Sequence, residues 1–223
     1  MIRRYLFILL ILIPTIGWSQ LLIGVKGGFS PLSTISFKPT QKSTPYYGEK
    51  PEFGIIIKYF DQKRFGLQGE VNFTHRGYNT PYKEIYKIRQ VGSYVEIPVF
   101  TQMRFNIVGI YLHAQAGCFV AYMLNARQGV DTSGAMVLKK YTLDMLRDNR
   151  FDFGLIGGGG LSKEFKWGVI QVDVRIQYGY GDLYKHTYKD MPDQSKAIVQ
   201  SVSISYMYNI SNLGKKRVKD NNI

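Results

Sequence analysis

A chain of 223 residues suits one domain or two small ones, and a formal charge of +13 with a pI near 9.7 makes it strongly basic. A mean hydropathy of -0.15 excludes a membrane assignment based on bulk apolar content, so any such case rests on pattern. The lone cysteine, Cys118, excludes an internal disulfide, and with three scattered histidines it offers no metal-ligand spacing.

The first element reads as an export signal. Arg3 and Arg4 precede an apolar run over residues 5–16, about 12 residues, which is too short to cross a bilayer as a helix. Pro14 and Gly17 break the run, and Gly17 and Ser19 fit the positions three and one before a signal-peptidase cut. Residues 1–19 are therefore expected to be removed, leaving Gln20 as the mature N-terminus. Loss of the two arginines lowers the formal charge from +13 to +11. On an exported chain that excess, partly gathered in Lys215, Lys216, Arg217 and Lys219, argues against nucleic acid and reads first as a solvated tail with no partner, and otherwise as a segment near anionic lipid or another negatively charged surface.

No later stretch keeps a helical period, whereas period two recurs. Strands are expected over 22–29 and 53–59. A third sets Phe65, Leu67, Val71 and Phe73 against Gln68, Glu70, Asn72 and Thr74, and a fourth sets Val95, Ile97, Val99 and Met103 against Glu96, Gln102 and Arg104. A fifth, over 107–122, has Val108, Ile110, Leu112, Ala114, Ala116, Cys118 and Val120 on its apolar face, opposite Tyr111, His113 and Gln115. In the sixth, over 151–165, Phe151, Phe153, Leu155 and Leu161 oppose Asp152 and several glycines. The seventh alternates most clearly, with Ile170, Val172, Val174, Ile176, Tyr178 and Tyr180 against Gln171, Asp173, Arg175 and Gln177. The last repeats this with Ile198, Val202, Ile204, Tyr206, Tyr208 and Ile210 against Ser201, Ser203, Ser205 and Asn209.

The connections alternate in length. Residues 30–52, 76–92, 124–150 and 181–196 are long and polar, while 61–64, 104–106 and 163–167 are tight. Short turns at one end and long loops at the other are the layout of an outer-membrane barrel. Backbone groups in lipid must all be paired, so an exported sheet crosses only as a closed barrel. The fold expected is an all-β, eight-stranded antiparallel up-and-down transmembrane β-barrel over residues 20–210, followed by a basic periplasmic tail over 211–223. Aromatic residues near strand ends, Phe29, Tyr59, Phe65, Phe73, Tyr94, Phe105, Tyr122, Phe151, Trp167, Tyr178 and Tyr180, suit the two membrane interfaces.

The polar faces carry Lys26, Lys58, Glu70, Glu96, Arg104, Asp152, Asp173 and Arg175. An eight-stranded barrel encloses only enough room for side chains, so these groups are expected to fill the lumen as a polar network. The 124–150 connection mixes Arg127, Lys139, Lys140 and Arg147 with Met136, Leu138, Leu143 and Leu146. It is expected to form a short amphipathic helix and a contact surface.

The chain resembles the PorT-like outer-membrane β-barrel family of Bacteroidetes. The resemblance rests on Gly24-Val25-Lys26-Gly27-Gly28, on Gly66-Leu67-Gln68-Gly69-Glu70 leading to His75-Arg76-Gly77, on Tyr94-Val95-Glu96-Ile97-Pro98, and on Phe151-Asp152-Phe153-Gly154-Leu155 with Gly157 to Gly160. It covers about residues 20–210. It implies a Gram-negative outer-membrane location, contact with outer-membrane lipids and the assembly machinery, and, for some relatives, proteins of the type IX secretion system. Such barrels often end on an aromatic residue, whereas this chain runs on to Ile223; Tyr206, Tyr208 and Ile210 could serve as an internal version.

No catalytic motif accompanies His75, His113 or His186, and the run Gly157 to Gly160 lacks the Gly-Lys-Ser/Thr ending of a phosphate loop. No cofactor, metal or nucleic acid is expected, and the protein reads as a non-enzyme. The alternatives are an outer-membrane lipid hydrolase or acyltransferase using His75 or His186, and a soluble periplasmic ligand-binding barrel with its apolar faces turned inward.

Overall fold

The computed structural model describes residues 20–38, 43–48, 50–60, 64–82, 86–132, 135–144, 146–185 and 193–210. The export segment, His186 and the basic tail lie outside them. Eight long strands carry the fold: β1 (Gln20–Lys38), β2 (Glu52–Phe60), β3 (Phe65–Tyr82), β4 (Tyr86–Ile107), β5 (Ile110–Thr132), β6 (Phe151–Phe165), β7 (Gly168–Asp182) and β8 (Gln194–Asn209).

Each strand pairs antiparallel with the next, and β8 pairs with β1 from Leu22↔Asn209 to Lys38↔Gln194. The sheet therefore closes on itself and leaves no unpaired edge among the long strands, the condition for a sheet to sit in lipid. Three short pieces flank it: Thr44–Pro45 beside β3, and Ala135–Met136 and Lys139–Tyr141 beside β5.

Alternation sorts side chains between lipid and lumen. On β7, Val174 is 58% exposed while its neighbour Asp173 is 0% exposed. Ile55, Leu67, Val71, Val99, Leu155 and Ile204 likewise face outward, and Gln68, Glu70, Gln102, Gln171 and Ser203 are buried inside. This is the reverse of a water-soluble protein, and it excludes the inward-apolar ligand carrier. On β3 the outward apolar band runs from Phe65 to Phe73, about the 9–11 residues that a tilted strand needs to cross the hydrocarbon layer. Aromatic rings gather at its lower rim, where Trp167 stacks between Phe165 and Tyr206 with centroids 4.9 and 5.6 Å away.

Four expectations are corrected. The long connections are largely strand: β1 continues to Lys38, β3 to Tyr82, β4 begins at Tyr86 and β5 runs to Thr132. The β1 extension pairs with β8, and those of β3, β4 and β5 pair with one another beyond the membrane band, so their backbone groups are bonded rather than looped out. No helix forms among the described residues of 124–150, because β5 keeps pairing with β4 out to Lys87↔Asp131 and Lys139–Tyr141 returns along its other side.

The tight turn expected at 104–106 lies farther on, at Val108 and Gly109, which have φ of 51° and 81°. Two positive φ values suit the primed turn that joins twisted strands. Asn106 Oδ1 accepts the Gly109 N–H at 3.1 Å and holds the turn, leaving Val108 98% exposed and outside the strand to which alternation had assigned it.

Candidate functional site

The lumen is filled in layers. At mid-height, Arg175 on β7 donates from Nη1 to Glu70 Oε2 and from Nη2 to Glu70 Oε1, both at 2.8 Å. Lys26 Nζ on β1 donates to Glu70 Oε2 at 2.9 Å, and Asn72 Nδ2 to the same oxygen at 2.8 Å. Arg175 also reaches Asp173 Oδ2 at 3.2 Å, and its guanidinium lies over the Phe100 ring at 4.5 Å.

Asp173 receives further support from His113 Nε2 at 2.8 Å, Gln115 Nε2 at 3.0 Å and Gln171 Nε2 at 2.9 Å. Lys58 Nζ donates to Gln171 Oε1, which links β2 to β7 across the lumen. Both carboxylates are therefore multiply bonded, the arrangement that makes a buried charge tolerable.

The outer layer centres on Arg76, which donates to Glu96 and, at 2.6 Å, to Asp152 Oδ2. Tyr94 is buried in the lumen and not at the membrane interface where it was expected, because it shares the inward face with Glu96; with Phe119 it flanks the guanidinium at 5.0 Å each. Gln177 Nε2 donates to Glu96 Oε1 at 2.7 Å, and Asp152 Oδ1 accepts the Gly181 N–H at 3.0 Å. The cavity left between Lys26, Thr74, Arg76, Glu96 and Arg175 is about 10 Å³, room for about one water molecule.

Towards the periplasm, Arg104 pairs with Glu164 at 2.6 Å and lies over the Phe60 ring at 3.8 Å and the Tyr111 ring at 4.6 Å. Leu22, Ile56, Phe60, Val169 and Met207 form an apolar plug at that end.

The outer mouth is capped. Ile35, Phe37 and Tyr78 pack with Leu183 and Tyr184. The Tyr78 and Tyr184 hydroxyls lie 2.7 Å apart and stand 2.9 and 3.2 Å from Gln90 Oε1, and their two protons serve two of these three contacts. Burial first, and then the neighbouring Tyr184, hold the Tyr78 hydroxyl well above the ordinary tyrosine range; burial raises Tyr184 as well. The Asn149 N–H donates to Leu183 O at 2.9 Å and the Lys185 N–H to Arg147 O at 2.8 Å, tying the loop before β6 to the loop after β7.

The eight charged residues marked from the sequence all line the lumen, but in separate groups. Lys26, Glu70, Asp173 and Arg175 meet; Glu96 and Asp152 share Arg76; Arg104 meets Glu164; Lys58 meets Gln171. Arg76 was missed because it was placed in a loop, although it continues the inward series Gln68, Glu70, Asn72, Thr74. Tyr78, Gln90 and Tyr184 were missed because they meet only once the strands extend beyond the membrane band.

The four basic residues marked as a contact surface divide by register. Arg127 on β5 opposes Lys140 on one side and Val91 on the other, whereas Lys139 opposes Gln128 on the opposite face. Arg147 is held by Asp148 at 3.2 Å and lies over Tyr141, so it belongs to the cap.

Arg127 and Lys140 share the outward face that begins with the lipid-facing Phe73 and Val95. Phe73 pairs with Val95, His75 with Ser93 and Gly77 with Val91, and Val91 pairs with Arg127. His75 stands one step beyond the end of the spanning part of β3. Its Nδ1 lies 3.2 Å from Ser93 Oγ and its ring meets Phe73 edge-on at 5.1 Å. Burial, and then the positive charges of Lys50 and Arg127, hold its imidazole below the ordinary histidine range.

The model of a family described as outer membrane protein beta-barrel domain matches residues 16–185. Among solved structures, the chain is similar to Neisserial surface protein A at 10% identity and TM-score 0.40, with 85% of this chain and 99% of that one covered. It is also similar to OprG of Pseudomonas aeruginosa at 11% identity and TM-score 0.42, covering 86% and 95%. The attachment invasion locus protein Ail of Yersinia pestis, solved with the heparin analogue sucrose octasulfate, aligns at 16% identity and TM-score 0.38, covering 85% and 97%. No curated protein matches the chain in sequence.

Proposed function

Because the chain belongs to the outer membrane protein beta-barrel domain family, we propose that it acts as a sealed, non-enzymatic outer-membrane barrel whose extracellular strand extensions and loops engage a partner. The observation that carries this reading is the outer layer of the lumen. Arg76 ties β4 to β6 through Glu96 and Asp152, and a cavity of about 30 Å³, lined also by Tyr78, Gln90 and Leu183, separates it from the cap. A pore would need a continuous aqueous path, and the lumen is instead crossed by paired charges and closed by apolar groups at both ends.

Function then resides in what the rigid scaffold presents outside, as binding residues commonly do. β3, β4 and β5 continue as paired strands past the outer aromatic ring, so this part is presented as sheet rather than as floppy loop. The resemblance to PorT-like proteins supports protein secretion as the setting of that contact.

In planar bilayers the purified protein should give no stepwise conductance, while crosslinking through introduced residues on the β4–β5 extension should capture a partner. Capture of secretion components, with cargo export lost on deletion, would assign the partner to secretion. Steady ion conductance would remove the sealed-barrel reading.

The Ser93–His75 contact favours a second reading, a hydrolase acting on lipid at the outer rim. A base of that kind is normally oriented by a third group. Among the described residues, no carboxylate hydrogen-bonds the His75 ring; Glu52 instead accepts its backbone N–H at 3.2 Å.

A further inference from the structure

Arg127 and Lys140 stand directly opposite each other on paired strands, and both are exposed. Like charges in that position are mutually destabilising unless an anion lies between them. Lys50 adds a third positive charge, since both it and Arg127 act on His75. From His75 to Asn79 on β3, Arg89 to Ser93 on β4 and Asn125 to Gly129 on β5, no acidic residue occurs in the sequence.

The height of this cluster identifies its environment. His75 is two residues above Phe73, about 5 Å along the membrane normal for a tilted strand. Arg127, level with Val91, lies four residues above Val95, which is about 10 Å by the same reckoning. The headgroup layer of one leaflet is about 5–7 Å thick, so long side chains at the upper level reach down into it. Below the cluster, Phe53, Phe73 and Tyr122 are exposed to the acyl region.

We propose that Lys50, His75, Arg127 and Lys140 form a binding site for a phosphate group of an outer-leaflet lipid, with the lipid's acyl chains against Phe53, Phe73 and Tyr122. Arg127 and Lys140 supply charge, the His75 ring, held at Nδ1 3.2 Å from Ser93 Oγ, supplies a polar edge, and the aromatic ring below holds the lipid at the right depth. This goes beyond the sealed-barrel reading and stands or falls separately from it: conductance tests the lumen, lipid retention tests the outer face.

The test is native mass spectrometry of the purified protein in detergent. The probes are the bisphosphorylated disaccharide lipid of the outer leaflet, its dephosphorylated form, and inorganic phosphate. Retention should follow the lipid phosphates. The R127A/K140A double variant should weaken retention by about thirtyfold, as expected for two cations at a lipid surface, while keeping heat-modifiable gel mobility. K163A, at the opposite rim, should retain lipid like the parent. Equal retention of both lipid forms, unchanged retention by the folded double variant, or equal binding of inorganic phosphate without lipid would each overturn the proposal.

Discussion

Arg175 on β7 and Glu70 on β3, 105 residues apart in sequence, meet across the lumen through two parallel hydrogen bonds of 2.8 Å. Neither strand pairs with the other, so this contact braces opposite walls of the barrel. Removing one partner of a buried pair leaves the other charge uncompensated, which costs about 3–5 kcal/mol. Glu70→Gln should therefore lower the urea midpoint of the refolded barrel in detergent, whereas the double change Glu70→Leu with Arg175→Met should recover only part of the loss, because Lys26 and Asp173 then each lose a partner. A midpoint unmoved in Glu70→Gln would show that the bracing is unimportant.

The cap predicts a dependence on pH. Tyr78 and Tyr184 have folded-state values raised by burial above those of the unfolded chain, so the stability they contribute is whole below about pH 10. It is lost as pH rises through the folded values. Limited proteolysis should find the 146–150 and 181–185 segments protected through about pH 10 and cleaved above it. Tyr184→Phe should weaken the cap by about 1 kcal/mol, because one of the two hydrogen bonds in the Tyr78–Gln90–Tyr184 group is lost. Cleavage already complete at neutral pH would contradict a closed cap.

Glycine is required where strands of the small barrel press together. A Cβ on Gly160 would lie 1.9 Å from Val172 O and 3.0 Å from His113 Nε2, whereas one on Gly69 would meet nothing within 4 Å. Gly160→Ala should reduce the yield of refolded, heat-modifiable barrel severely, and Gly69→Ala should leave it unchanged. Equal yields from the two variants would argue against close strand approach at Gly160.

The rim histidine offers a test of the non-enzyme assignment. Lipid extracted from cells expressing His75→Ala or Ser93→Ala should match that from cells expressing the parent. A lipid species present with the parent and lost in both variants, with the barrel still folded, would establish the hydrolase reading instead.

Period two made much of the fold readable. On β7 it separated Val172, Val174 and Ile176 from Asp173 and Arg175, and the two sets face lipid and lumen respectively. It could not say which acid meets which base, because Arg175 reaches Glu70 only through the stagger of eight strands around the barrel. The strand extensions were hidden for a local reason. Ser93 pairs with Asn125 and Tyr94 with Met123, so Leu124 is an extra residue that moves every later side chain of β5 to the other face. Past that point Arg127 and Gly129 no longer follow the alternation set by Val120 and Tyr122, and the stretch resembles a loop. Gly77, Asn79 and Pro81 concealed the end of β3 in the same way, because turn-type residues there sit in a paired strand.

The most direct test asks which side of the strands lipid touches. In a Cys118→Ser background, Val174→Cys and Ile204→Cys should react with a lipid-partitioned alkyl maleimide in reconstituted vesicles, and Ser203→Cys should not. The opposite pattern, with position 203 alkylated and positions 174 and 204 protected, would mean that the apolar faces point inward and that the barrel does not sit in a membrane as described.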